Sequence, residues 1–433
     1  MRGASASLIR RIGISVFTSP LRVRANGQGA KNTEPKPAPD PHVEDDREAA
    51  KMHEAADRSP SEREGGLSRR GLLGIASATA AAAAMGGLAR GAAPAHAAEA
   101  LAAVTPAPTA GMSVTLLGTA GGPPPQANRY GIATALTVDG NNYVIDCGRG
   151  AVSQYMRAGL SMPALTAIFL THLHSDHMVD YFAFPLLSGG VIGPQGFTSP
   201  IGVWGPGASG LPSHLTGDTG TTPGTVETTR RANESFAAST TFFLDEHFGT
   251  DPAKMLNVHD VLPPASAGAS ASNPAPTMEP FAVMEDDRVK VTATLVPHGS
   301  VFPALAYRFD SDHGSVVFSG DTAPTPNLIR LAQGADLLLH ETADFEALPK
   351  LGYPAPVIEH IRLVHTDVND LGAIAKAAGV GALVATHLSP VNPDIVPDHV
   401  WRKKLRDSAK AAGYDGDISL GMDLMRIQVG AKR

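Results

Sequence analysis

From Ser113 onward, short apolar and β-branched runs recur at Ser113–Leu117, Ala133–Val138, Tyr143–Asp146 and Ala167–Leu170. Runs of this length read as strands buried in a sheet. Helical spacing appears between them at Val152–Ala158. Further strand patterns cover Lys290–Val296, Ala304–Phe309, Ser315–Ser319, Asp336–His340, Ala382–Thr386 and Leu424–Gln428, and helical patterns cover Asn327–Ala332, Val368–Ala378 and Asp398–Ala412. Strands first, then strands mixed with helices, predict an α/β layered fold. Residues 207–285 break the rhythm with Gly, Thr, Ser and Pro, leaving one helical stretch near Ala253–Leu256. This segment is expected to be an irregular insertion that forms a lid over a site. No internal repeat is visible.

The first hundred residues follow a different pattern. Residues 1–60 are rich in Pro, Ala and charge, show no periodicity, and read as a disordered extension. Ser68-Arg69-Arg70-Gly71-Leu72-Leu73 is a twin-arginine signature, followed by an uncharged Ala/Gly run to Ala89 and by Ala95-His96-Ala97, a small-x-small cleavage pattern. Residues 61–97 therefore resemble a Tat export signal, with the Tat machinery as partner and a periplasmic or secreted destination. A retained anchor is the alternative, because nineteen uncharged residues just span a bilayer, but Ala and Gly anchor poorly. Met52 is a natural start for such a signal, so the first 51 residues read as a candidate mis-called start. Residues 98–112 form an Ala/Pro linker, and 113–430 form the globular domain.

Charge and cysteine narrow the classes. Residues 1–97 carry a net +4 and the remainder −11, which argues against nucleic acid as a partner. The single cysteine, Cys147, excludes a disulfide framework and a Cys-rich zinc site. It is read as a packing residue.

The chemistry concentrates in Thr171-His172-Leu173-His174-Ser175-Asp176-His177, just past a predicted strand end. Three histidines and an aspartate this close, unpaired, would be costly unless something binds them. Neutral imidazoles with a carboxylate suit zinc, and also manganese or iron.

This HxHxDH run resembles the signature of the metallo-β-lactamase superfamily. Leu116-Leu117-Gly118-Thr119 with Gly121-Gly122-Pro123, Ile145-Asp146-Cys147-Gly148, Ser319-Gly320-Asp321-Thr322 and Ala385-Thr386-His387-Leu388-Ser389-Pro390 are similar to further motifs of that superfamily, in order. The resemblance implies a four-layered αβ/βα sandwich with two divalent metal ions, zinc first. It places His172, His174 and His298 on one metal, Asp176, His177 and His387 on the other, and Asp321 between them. Two metals sharing a hydroxide would attack an ester substrate. His340-Glu341-Thr342 and His365-Thr366 look like motifs of the RNase Z-like branch, which implies His365 as acid or base and Glu341 as its partner. Asp176 counts as a catalytic residue as well as a ligand. Asp146 is expected to support a ligand histidine.

The pattern departs from RNase Z in four respects. His298 and Asp321 stand 23 positions apart, which leaves no room for the arm that grips tRNA, and Ser389-Pro390-Val391-Asn392 replaces Ser-Pro-Arg-Tyr. The domain is acidic, and the signal points out of the cytoplasm. Secreted arylsulfatase-like members are closer in plan. The expectation is an exported dinuclear hydrolase of phosphodiesters or aryl sulfate esters, with a small-molecule ester as substrate. An RNase Z-like nuclease, a lactone or carboxylic ester hydrolase, a non-catalytic metal-binding relative and an iron-dependent oxidative member are the alternatives. Relatives are often dimers, so a homodimer is also an expectation.

Overall fold

A computed structural model describes residues 108–190, 193–215 and 220–430. The extension, the Tat-type signal and most of the linker lie outside these residues. Met112, placed in the linker, opens the first strand instead.

Among the described residues, fourteen strands form two seven-stranded sheets. The first runs from edge to edge as Arg426–Val429 (β14), Met112–Gly118 (β1), Ala133–Val138 (β2), Asn141–Cys147 (β3), Leu165–Phe169 (β4), Ile201–Pro206 (β5) and Leu256–Val261 (β6). The second runs as Asp417–Leu420 (β13), Ala382–Ser389 (β12), Leu337–Ala343 (β11), Gly314–Phe318 (β10), Leu305–Ser311 (β9), Lys290–Leu295 (β8) and Phe281–Glu285 (β7). Strands β3 to β6 pair in parallel, as do β10 to β13, while the other pairings are antiparallel. Central strands such as β1 and β11 are buried at every position, because both faces of each sheet are covered.

Three apolar clusters make the four layers. Leu136, Ile145, Phe169, Tyr307, Phe309 and Leu339 meet between the sheets. Behind the first sheet, Tyr155 of helix Ala151–Arg157 (α1) packs with Val144, Ile168 and Phe184. Behind the second, Leu371 and Ala375 of Leu371–Ala378 and Trp401 and Leu405 of Asp398–Ala412 pack on Val317, Leu338 and Leu383. This is the αβ/βα sandwich expected from the resemblance.

Residues 207–285 correct one expectation. Outside 216–219 they hold helices Thr225–Ser235 and Ala237–Asp245 and the two edge strands β6 and β7. The expected helical stretch near Ala253–Leu256 is a short 3-10 turn, Pro252–Met255. The pattern was weak because these strands are edges, with about half of their positions open to solvent. Helix Thr225–Ser235 is polar on most sides and carries Glu227 paired with Arg230 and Arg231. A cavity of about 560 Å³ lies against these helices, and none of the histidines or carboxylates singled out above lines it.

Candidate metal centre

The site gathers at the carboxyl ends of strands from both sheets. Strand β4 ends at Phe169 and the chain leaves as Thr171–His177, with a single helical turn at Ser175–Met178. His298 follows β8, Asp321 follows β10, and His387 lies near the end of β12. Crevices at the carboxyl ends of parallel strands are where such sheets bind ligands.

All seven expected ligands come together in two groups. His172 Nε2 lies 3.0 Å from His174 Nδ1, which lies 3.3 Å from His298 Nε2. Asp321 Oδ2 is 3.9 Å from His172 Nε2 and 3.8 Å from His298 Nε2. In the second group His177 Nε2 is 3.6 Å from Asp176 Oδ2 and 3.3 Å from Asp321 Oδ1, and His387 Nε2 is 3.4 Å and 3.3 Å from the same two carboxylates. Bonds of about 2.0–2.1 Å to a tetrahedral cation put neighbouring donors about 3.3–3.4 Å apart. The observed spacings bracket that value.

Hydrogen bonds aim the donors inward. Asp146 Oδ2 accepts from His177 Nδ1 at 2.8 Å, so the neutral ring has its lone pair on Nε2. The carbonyl of Val364 can only accept, so His298 Nδ1 donates to it at 3.1 Å and Nε2 is again free. That carbonyl belongs to the last turn of helix Ala355–Val364, where carbonyls have no helical partner. Gly122 N donates to Asp176 Oδ2. A Cβ on Gly121 would stand 2.7 Å from His387 Nδ1, so the backbone approach requires glycine.

The electrostatics fit cations. Burial pushes His172, His174 and His298 toward the neutral imidazole that ligates, His298 down to about 4. Burial also opposes charge on His177, but Asp321, Asp146 and Asp176 outweigh it and push the imidazole pKa up. A proton there answers the same surplus of buried negative charge that a cation would. His177 Nε2, Asp321 Oδ1 and His387 Nδ1 are buried without a hydrogen-bond partner. Two of these three are donor atoms of the second group, which fits a divalent cation, and the clustered imidazoles of His172, His174 and His298 suit one by their donor chemistry.

His365 and Glu341 stand beside the ligands. The His365 ring lies 5.1 Å from that of His298 and 5.7 Å from that of His387, centre to centre. Glu341 Oε1 is 3.2 Å from His365 Nδ1, an ion-pair contact without hydrogen-bond alignment, and accepts from Thr322 N and Thr366 N. Burial opposes charge on His365, but the Glu341 carboxylate outweighs it and lifts the imidazole to about 9.

Residues 251–388 match the family described as beta-lactamase superfamily domain, and residues 112–184 match one described as anti-Pycsar protein Apyc1. A ribonuclease Z of Mycobacterium sp. strain KMS is 31% identical over 324 residues, covering 73% of this chain and 96% of that protein. The chain belongs to the metallo-β-lactamase superfamily. A ribonuclease Z of Mycobacterium bovis BCG is 28% identical over 323 residues, 74% of this chain and 100% of the relative. The crystal structure of human tRNase Z, short form, matches at 21% identity and a TM-score of 0.49, over 73% of this chain and 99% of that one. The protein is thus a metal-dependent hydrolase of that superfamily.

A cleft of about 460 Å³ opens on the metal centre of this metallo-β-lactamase relative. Gly121 to Gln126 form one rim, and residues 351–365 form the other. None of the described residues of 207–285 lines it, so the expected lid is not built from those residues. Helix Ala355–Val364 takes that place. The helical pattern was masked by Pro354 and Pro356, although Pro is well tolerated at a helix start.

Other site residues also escaped the sequence reading. Thr171 donates its N–H and its hydroxyl to Asp146 and thereby fixes the carboxylate that orients His177. Its position beside His172 was the available signal. Cys147 is fully buried in the outer core, and burial pushes its thiol well above the usual range, which leaves it a packing residue.

Proposed function

We propose that this hydrolase cleaves phosphodiester bonds, with His365 giving a proton to the leaving oxygen and Glu341 positioning His365. The observation that carries the reading is the His365 imidazole, set 3.2 Å from the Glu341 carboxylate at the edge of the two ligand groups. The relatives named ribonuclease Z support the phosphodiester class. Bound divalent cations, zinc first, would supply an activated water and offset charge on the transition-state oxygens. The chain's own part is to hold six donor side chains and the shared Asp321 in place, and to keep a proton at His365 against burial.

Transfer RNA is not the favoured substrate. Residues 299–320 between His298 and Asp321 are consumed by the β9–β10 hairpin and its flanks, so no arm extends from that stretch. We also propose export by the Tat route, on the motif at Ser68–Leu73.

The test is parallel hydrolysis by the zinc-loaded full chain of bis-p-nitrophenyl phosphate, p-nitrophenyl sulfate and a simple lactone. Turnover of the phosphodiester that is lost in His174→Ala is expected. Turnover of only the sulfate or the lactone would assign the other ester class. No turnover by a protein holding two cations would reject the catalytic reading.

A further inference from the structure

The two walls of the cleft differ in kind. One carries the ligands. The other presents Val357 and Ile361, one helical turn apart and so on one face of helix Ala355–Val364, and Tyr353, which lines the cleft from just before that helix. Ile358 and Val364 are the buried residues of this helix, so the helix is anchored without using that face. Tyr353 and Val357 each remain 41% exposed, the cost of leaving apolar groups in water beside a catalytic centre. Among the described residues no Lys or Arg lines the cleft, so a chain of phosphates would find no counter-charge on them.

We propose that the cleft selects phosphodiesters carrying an uncharged aromatic group, which seats on the Tyr353–Val357–Ile361 wall. The inference rests on the phosphodiesterase reading above. Tyr353 supplies a ring for the aromatic group, and Val357 and Ile361 supply branched aliphatic surface. The volume suits one small ester, with one such group beside the scissile bond.

Two diesters with the same leaving group test this: phenyl p-nitrophenyl phosphate and methyl p-nitrophenyl phosphate. The zinc-loaded full chain is expected to prefer the phenyl ester by about tenfold or more in kcat/KM. In Val357→Asp and Tyr353→Ala that ratio is expected to fall toward one, with the melting temperature little changed because neither side chain is among the buried residues of the core. Equal kcat/KM for the two esters would overturn the proposal, as would an undiminished preference in both variants, or faster cleavage of a short oligoribonucleotide than of the phenyl ester. Calorimetric titration with the phenyl monoester of phenylphosphonate and the methyl monoester of methylphosphonate judges the wall separately from turnover. If neither diester is hydrolysed, the phosphodiesterase reading fails. Tighter binding of the phenyl compound, lost in Val357→Asp, would still support the apolar seat, and equal binding would overturn it.

Discussion

Asp146→Asn removes one charge and almost no volume. Asp146 sits at φ 56, a left-handed conformation that Asn adopts as readily as Asp, so the backbone does not resist the change. Its two oxygens now accept from donors on both sides: Oδ1 from Thr171 N and Oδ2 from His177 Nδ1, each at 2.8 Å, with the Thr171 hydroxyl shared between them. An amide can satisfy only one side. With its NH2 toward His177, that ring must carry its proton on Nε2, the atom that faces Asp321. With its NH2 toward Thr171, two N–H groups confront each other in a buried place, which costs about 1–3 kcal/mol. Loss of an outer partner of a ligand histidine typically costs 10–100-fold in metal affinity, about 1.4–2.8 kcal/mol. The assay is a competitive zinc titration against a chromophoric chelator, with ion counting by mass spectrometry. The expected result is one site weakened by one to two decades and the His172–His174–His298 site little changed. Two ions held with wild-type affinity would refute the assignment of Asp146 as the residue that orients His177.

His365→Ala is expected to lower kcat by about 10²–10⁴-fold while both cations stay bound, measured by steady-state kinetics with ion counting. Glu341→Gln tests the pH sign. Glu341 raises the His365 pKa to about 9, and the protonated donor is lost as pH rises through that pKa, so removing the carboxylate moves the alkaline limb of kcat to lower pH. Chelation is expected to abolish activity and lower the melting temperature, by mass action, while near-ultraviolet circular dichroism persists, because none of the three apolar clusters contains a ligand. Arg69→Lys with Arg70→Lys is expected to trap the full-length precursor in the cytoplasm, read by cell fractionation and immunoblotting.

The sequence showed most strands because buried strands are continuous apolar runs, and it placed helix Asp398–Ala412 at its observed bounds. Edge strands β6 and β7 and helix Ala355–Val364 escaped for physical reasons: half-exposed strands lose their apolar run, and prolines hide a helix start. The HxHxDH ligands were legible because they lie within six positions. His298, Asp321 and His387 are separated from them by more than a hundred positions and were reached only through resemblance. Of the hydrogen bonds that orient the ligands, the one from His177 to Asp146 matches an expectation from the sequence, and the others do not show there. The Gly122 N–H and the Val364 carbonyl act through backbone geometry that no residue pattern encodes.

Two further residues show how the sheets make room for the site. The β2–β3 register slips where Asp146 lies, and the β11–β12 register slips where His387 lies. Each is the extra residue of a β-bulge, and each is a non-glycine residue at positive φ, 56 and 44 respectively. Alternation along β3 puts Val144 outward and Ile145 between the sheets, and would next send residue 146 outward and Cys147 between the sheets. Cys147 packs outward instead. Along β12 Val384 faces the other sheet and Ala385 faces the helices, so residue 387 would follow Ala385 and Leu388 would follow Val384, yet Leu388 packs on the helix side. In both sheets one inserted residue restores the apolar neighbour to the outer core and leaves the polar one at the rim, aimed at the metal centre. Left-handed backbone at such residues costs on the order of 1–3 kcal/mol each, which the flanking buried strands must over-determine. The same two bulges break the period-two pattern, so the devices that build the site are also the ones that disguise it in the sequence.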